Sequence, residues 1–181
     1  SGQSSEANAK CAACPPWGSA TPAGSDFCVG TPLTGWEKGA QGESCTEVCD
    51  RSPRGVTLTC QANQMSVVNS AAKFKVANRA IVADGGGSSG FTCGGYGTGG
   101  GNMVPLMSET TCYAQSSGTS SCTASDSSVT RLCCCINNNA EDPATLCPLS
   151  AADCPSAYTL WDGSTGRCLT DTSAGCPAGR Y

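Results

Sequence analysis

The sequence predicts a small disulfide-rich α+β protein: a short helix opened by a capping box, a few short strands and a high loop content. Three observations lead there. The chain holds 16 cysteines in 181 residues, an even number as complete pairing requires. Large hydrophobes are scarce, with 3 Phe, 4 Tyr, 3 Trp and 3 Met, so a thick core is out of reach and small stapled units are expected. Helix and strand signals are confined to the middle of the chain, from Trp36 to Cys135.

Residues 1–34 form the first part. They carry Cys11, Cys14 and Cys28 in CAACPPWGSATPAGSDFC, where Pro and Gly interrupt any periodicity. The central domain, 35–136, begins with Trp36, a core candidate. In GESCTEVC, Ser44 is an N-cap and Glu47 lies three residues on, the pattern of a capping box. Cys45 and Cys49, four apart, share one face of that helix, so their sulfurs can anchor it to other segments without a metal. Pro53 and Gly55 stop it. GVTLTC reads as a strand ending on Cys60. In QMSVVNSAAKFKVANRAIV, Met65, Val68, Ala72 and Val76 give helical spacing to the first half, and the end is β-rich. GGYGTGGGN, 94–102, reads as a flexible or tightly packed loop. It lacks the GK[ST] of a phosphate loop, and its glycines allow close approach by another chain or a sugar ring. VTRLCCC reads as a strand.

Residues 137–181 are the third part, with Cys147, Cys154, Cys168 and Cys176 and again almost no periodicity. Cys14-Pro15 and Cys154-Pro155 stand at the same separation from Cys28 and Cys168, and each loop holds a tryptophan, Trp17 or Trp161. The third part is thus similar to the first. Related modules stack on like neighbours to bury what they cannot bury alone, which points to an assembly.

Trp36, GESCTEVC, the LTC ending at Cys60, Val68-Asn69 before Phe74, then Cys93, Pro105, Cys112, Cys122 and RLCCC follow one another in an order that resembles the cysteine-rich segment at the C-terminal end of the N-acetylglucosaminyltransferase V family. That segment also occurs in secreted proteins of eukaryotic microbes. The resemblance covers roughly 36–135 and implies a disulfide-bonded appendage whose framework cysteines are Cys45, Cys49, Cys60, Cys93, Cys112, Cys122, Cys133 and Cys135. It brings no catalytic residue, and the chain is too short for a glycosyltransferase domain. The family ends this segment with two cysteines one residue apart; here Cys134 fills the gap. On a strand, Val129, Arg131, Cys133 and Cys135 share one face and Thr130, Leu132 and Cys134 the other. With the family set removed, Cys11, Cys14, Cys28, Cys134, Cys147, Cys154, Cys168 and Cys176 remain. Cys134 is therefore expected to bond to a flanking arm, in first place the N-terminal one, whose three cysteines cannot pair among themselves.

Function is less legible. Thiols at this density suit an oxidising compartment, which predicts an extracellular or cell-surface protein. The terminus SGQSSEANAK fits a mature end after signal-peptide removal, although a truncated chain would look the same. A net charge of −4 without a basic cluster argues against nucleic acid, and no apolar run reaches membrane-span length. No cofactor or metal is expected: CAAC has no second CxxC at zinc-ribbon spacing, and the chain has 0 histidines. Without histidine the candidate bases are Glu37, Glu43, Asp84, Glu109, Asp126, Glu141 and Asp162, none in a recognisable pair, so no enzyme is expected. There is no N-x-S/T sequon, whereas SSGTSSCTASDSSVT, TPAGS and TPLTG could accept O-linked sugars, as in a glycoprotein.

The reading is a non-catalytic structural protein of an extracellular assembly. Its partners are copies of itself, head to tail in a filament, or other extracellular proteins. The alternative is a secreted carbohydrate-binding module whose loop tryptophans, Trp17 and Trp161, stack on glycans; packing against an adjoining module is the preferred role for both. A third class, a secreted toxin or inhibitor, requires a protruding reactive loop that the sequence does not identify.

Overall fold

The computed structural model describes residues 35–51, 58–83, 89–136, 147–154 and 160–169. Strand β1 (Trp36–Gln41) leads into helix α1 (Cys45–Asp50), then β2 (Thr59–Cys60) and the short helix α2 (Ala62–Ser66). Helix α3 (Ala71–Ala83) precedes β3 (Gly95–Gly100), β4 (Leu106–Ser108), β5 (Thr111–Ser117) and β6 (Val129–Ile136). A 3₁₀ turn, Ala151–Asp153, is followed by a hairpin of β7 (Leu160–Asp162) and β8 (Arg167–Leu169).

Helix α1 starts where the capping box places it. Ser44 accepts from the Glu47 amide at 3.3 Å, and the Glu47 carboxylate accepts from the Ser44 amide at 2.8 Å, so two amides without helical partners are satisfied reciprocally. The Ser44 amide and the Ser44 hydroxyl, each donating to the Glu47 carboxylate at 2.8 Å, hold that carboxyl below its ordinary value.

The fold is led by its sheet. A 6-stranded mixed sheet runs β1-β6-β4-β5-β3, with β2 also pairing with β6. All pairs are antiparallel except β3 with β5. β6 is the hub: it meets β1 on one edge and β2 and β4 on the other, and every one of its 8 residues is buried. The expectation of few short strands is thereby corrected, because β5 and β6 reach 7 and 8 residues. Glycine-rich 94–102 concealed one further strand. The expected helix over the first half of QMSVVNSAAKFKVANRAIV is also corrected. It breaks after Ser66 and resumes at Ala71, and the Ala-Ile-Val end stays helical to Ala83 because Phe74, Ala77, Ala80 and Ile81 face the core. Tertiary burial overrides the β-branched preference there.

The main core lies between the helices and the sheet, gathering Trp36, Val48, Leu58, Met65, Val68, Phe74, Ile81, Phe91, Leu132 and Ile136 around the cysteines. It also takes in Cys147 and Leu149, beyond the end of β6, and Trp36 donates from its indole nitrogen to the Pro148 carbonyl at 3.3 Å.

Three adjacent sulfurs on β6 leave by opposite faces. Cys133 bonds to Cys45 and Cys135 to Cys49, pinning both ends of the CxxxC face of α1. Cys134 turns the other way and bonds to Cys147. Its partner is thus in the C-terminal segment, which corrects the N-terminal arm as first choice: the chain leaving β6 returns after 13 residues and brings Cys147 beneath the strand. The remaining bridges are Cys60–Cys122, Cys93–Cys112 and Cys154–Cys168. Cys11, Cys14, Cys28 and Cys176 lie outside the described residues.

Candidate functional site

The two outer strands of the path through the sheet, β1 and β3, are finished in different ways. On β1, residues that turn away from β6 present backbone groups to the outside, and a local ion pair takes them up. Glu43 Oε2 accepts from the Ala40 amide at 2.6 Å, and the Lys38 carbonyl accepts from Arg51 Nη2 at 3.5 Å. Glu43 and Arg51 join at 2.7 Å, and a second contact, Nε to Oε1, measures 2.8 Å. The Arg51 guanidinium holds the Glu43 carboxyl below its ordinary value. A register shift between Lys38 and Gln41 bends the strand further. Charge, capping and irregularity are the devices by which proteins close a sheet edge.

β3 has none of the first two. Its sequence GYGTGG carries no charge and no proline. Gly95 donates to the Thr110 carbonyl at 3.3 Å. In a parallel ladder alternate residues face opposite edges, so Gly95, Gly97 and Gly99 turn their backbone groups to β5, and Tyr96 and Thr98 turn theirs outward. Among the described residues nothing hydrogen-bonds to that outer side.

The strand is held at both ends. Cys93–Cys112 ties its entrance to β5, and Asn78 brackets Phe91 just before it, accepting from the Phe91 amide at 2.6 Å and donating to its carbonyl at 2.9 Å. At its exit, the buried Gln115 donates to the carbonyls of Gly101, at 2.9 Å, and Ser117. The glycines serve a packing purpose: a Cβ on Gly97 would stand 3.1 Å from the Tyr113 ring, which lies over this face of the strand. On the other face Tyr96, 38% exposed, meets Phe74 edge-on with centroids 6.2 Å apart, and Lys75 Nζ sits 4.6 Å from its ring centre.

On β6, Arg131 gathers the segments that follow β3 and β5. The side chain is fully buried, and its guanidinium donates to the carbonyls of Met103 at 2.9 Å, Ser121 at 2.7 Å and Ala124 at 2.7 Å. No carboxylate pairs with it among the described residues. Burial pushes it down to about 10, so it stays charged at neutral pH.

Trp161, partly buried, lies on β7 opposite Cys168. Its hairpin sits against α3: Arg79 Nη1 donates to the Gly163 carbonyl at 2.6 Å, and a Cβ on Gly166, at φ +68°, would come within 2.7 Å of the Val76 carbonyl. Trp17 lies outside the described residues. The edge site and Trp161 are not brought together by any contact of the described residues. Glu37, Glu43, Glu109, Asp126 and Asp162 are spread over the surface, and Asp84 and Glu141 lie outside the described residues. Among the described residues no three His, Cys, Asp or Glu side chains converge on a common point, and no helix is long and apolar enough to cross a membrane.

No protein-family model, curated protein or solved structure matches the chain.

Proposed function

We propose that this chain is a non-catalytic extracellular structural protein, a building block of a cell-surface or secreted assembly. The observation that carries the reading is the difference between the two sheet edges. β1 is closed by Glu43 and Arg51, whereas β3 is uncharged, braced at both ends and turns outward-facing amides to whatever chain adds to it. Bridging of all 12 described cysteines in six disulfides favours an oxidising compartment. The two cysteine-rich arms, of which the C-terminal one contains the Cys154–Cys168 loop, are the further contacts that extend an assembly head to tail into a filament. The test is sedimentation and electron microscopy of the purified, oxidised protein over a wide concentration range. Ordered assemblies that grow with concentration are expected, and a monomer at every concentration overturns the reading.

A carbohydrate-binding module is the second reading, favoured by the ring of the exposed Tyr96. Lys75 already sits over that ring and Phe74 on its edge, which leaves less free aromatic face than sugar stacking uses. Glycan-array binding lost in Tyr96→Ala or Trp161→Ala would reverse the preference.

A further inference from the structure

We infer that β3 pairs with β3 of a second copy of this chain, antiparallel about a two-fold axis through Thr98, joining two sheets into one. The inference rests on the building-block reading above and names the partner of its open edge.

A strand that pairs with its own copy meets its own side chains, so any charge it carried would face a like charge on the partner or lie close to one. β3 carries none. Because Tyr96 and Thr98 turn their backbone groups outward, the register that joins outward-facing residues places Thr98 opposite Thr98 and Tyr96 opposite Gly100. Thr–Thr is a favourable cross-strand pair, and Gly100 adds no side chain of its own opposite Tyr96, whose ring meets the Ser117 hydroxyl there. That register forms about six backbone hydrogen bonds. The two Tyr96 rings, each two residues from the axis, then lie roughly 13 Å apart along the strands. Each Lys75 ammonium sits on its own Tyr96 ring, and at physiological salt, with a screening length of ~8–10 Å, repulsion between the two is weakened.

The occupant is a copy and not an unrelated charged peptide, because the edge offers no group that would select one. The stoichiometry follows from the other edge. With Glu43 and Arg51 closing β1, the β1-β6-β4-β5-β3 path keeps one open end among the described residues, and two such ends consume each other. The contact is isologous and stops at two, so growth beyond a dimer needs a separate contact such as the arms. Bracing by Cys93–Cys112 and Gln115 means that little conformational freedom is lost when the strands meet.

The test compares wild type with Thr98→Pro and Thr98→Lys by sedimentation velocity across a concentration series. Proline removes an outward-facing N–H, a change an edge strand tolerates, and Gly97 before it accommodates the restriction proline imposes. Lysine opposes lysine across the axis and leaves the backbone intact. Both variants are checked for the wild-type disulfide map by non-reducing peptide mapping. Dimers in wild type, with a dissociation constant raised by ~100-fold or more in both variants, are expected. Unchanged association in both variants overturns the β3 pairing and leaves the building-block reading standing. A wild type that is monomeric throughout overturns both.

Discussion

Arg131 is the residue at which the sequence and its surroundings are most at odds, since a full charge sits in a buried strand whose other side chains are cysteine, valine, leucine, isoleucine and one threonine. A buried ion usually needs a counter-ion, and here backbone carbonyls of 102–124 replace it. Two effects compete on substitution. Arg131→Met removes the cost of burying the charge, but it orphans the carbonyls of Met103, Ser121 and Ala124. Each unsatisfied buried group costs ~1–3 kcal/mol, and three of them outweigh the relief. Arg131→Met is expected to lower stability by about 2–4 kcal/mol, read from denaturant unfolding. Arg131→Lys, with fewer donors in a less suitable geometry, should fall between. A wild-type midpoint for Arg131→Met would mean that the loops open and let water satisfy the carbonyls.

At the scale of elements, Glu43 and Arg51 matter as a lid on β1 more than as an ion pair. The pair is exposed, and such pairs contribute at most ~1 kcal/mol. Glu43→Ala is therefore expected to shift thermal unfolding by only a few degrees while turning self-limited dimers into larger, concentration-dependent species, because the Ala40 amide loses its partner and Arg51 loses the carboxylate that holds it at the Lys38 carbonyl. Sedimentation velocity distinguishes this from simple loss of stability, and unchanged size would show that the pair does not control the edge. How far these elements could be read in advance follows from where their signal lies. Helix α1 was legible because its cap is local, Ser44 and Glu47 acting within one turn. β6 was legible from its β-branched start and from cysteines that had to leave by both faces. β3 was not, because glycine is depleted in strands; what makes GYGTGG a strand is distant, the Cys93–Cys112 bridge and Tyr113 stacked over Gly97. The edge cap on β1 was equally invisible, since Glu43 and Arg51 flank α1 and meet only when the helix forms. Cys134 was assigned to the wrong arm because counting cysteines fixes parity and not distance along the chain.

For the whole molecule the question is whether charge or covalent linkage dominates stability. The carboxyls of Glu43, Glu47 and Asp126 all lie below their ordinary values, and that of Asp162 falls to about 2, held by the hydroxyls of Ser164 and Thr165. With folded values depressed, the unfolded chain binds more protons in acid. The stabilisation is complete above the unfolded carboxylate range of about 4 and is lost as pH falls towards 2. These groups are exposed, so solvent screens the effect and the loss is small. The disulfides act on another scale. Cys45–Cys133 and Cys49–Cys135 close 88- and 86-residue separations, for which the chain-entropy estimate is ~4–5 kcal/mol for a single bridge of that span. The bridges share loops, so their effects do not add. Even one, however, is comparable with the net stability of a small domain, ~5–15 kcal/mol. Linkage therefore wins. The oxidised protein is expected to unfold cooperatively at pH 2, with a midpoint only a few degrees below that at pH 7, whereas the chain reduced at pH 7 should show no cooperative transition by circular dichroism. A reduced chain that still melts cooperatively would place the stability in the packing around Trp36, Phe74 and Leu132, and the three cysteines of β6 would then serve to fix its two faces and not to hold the fold.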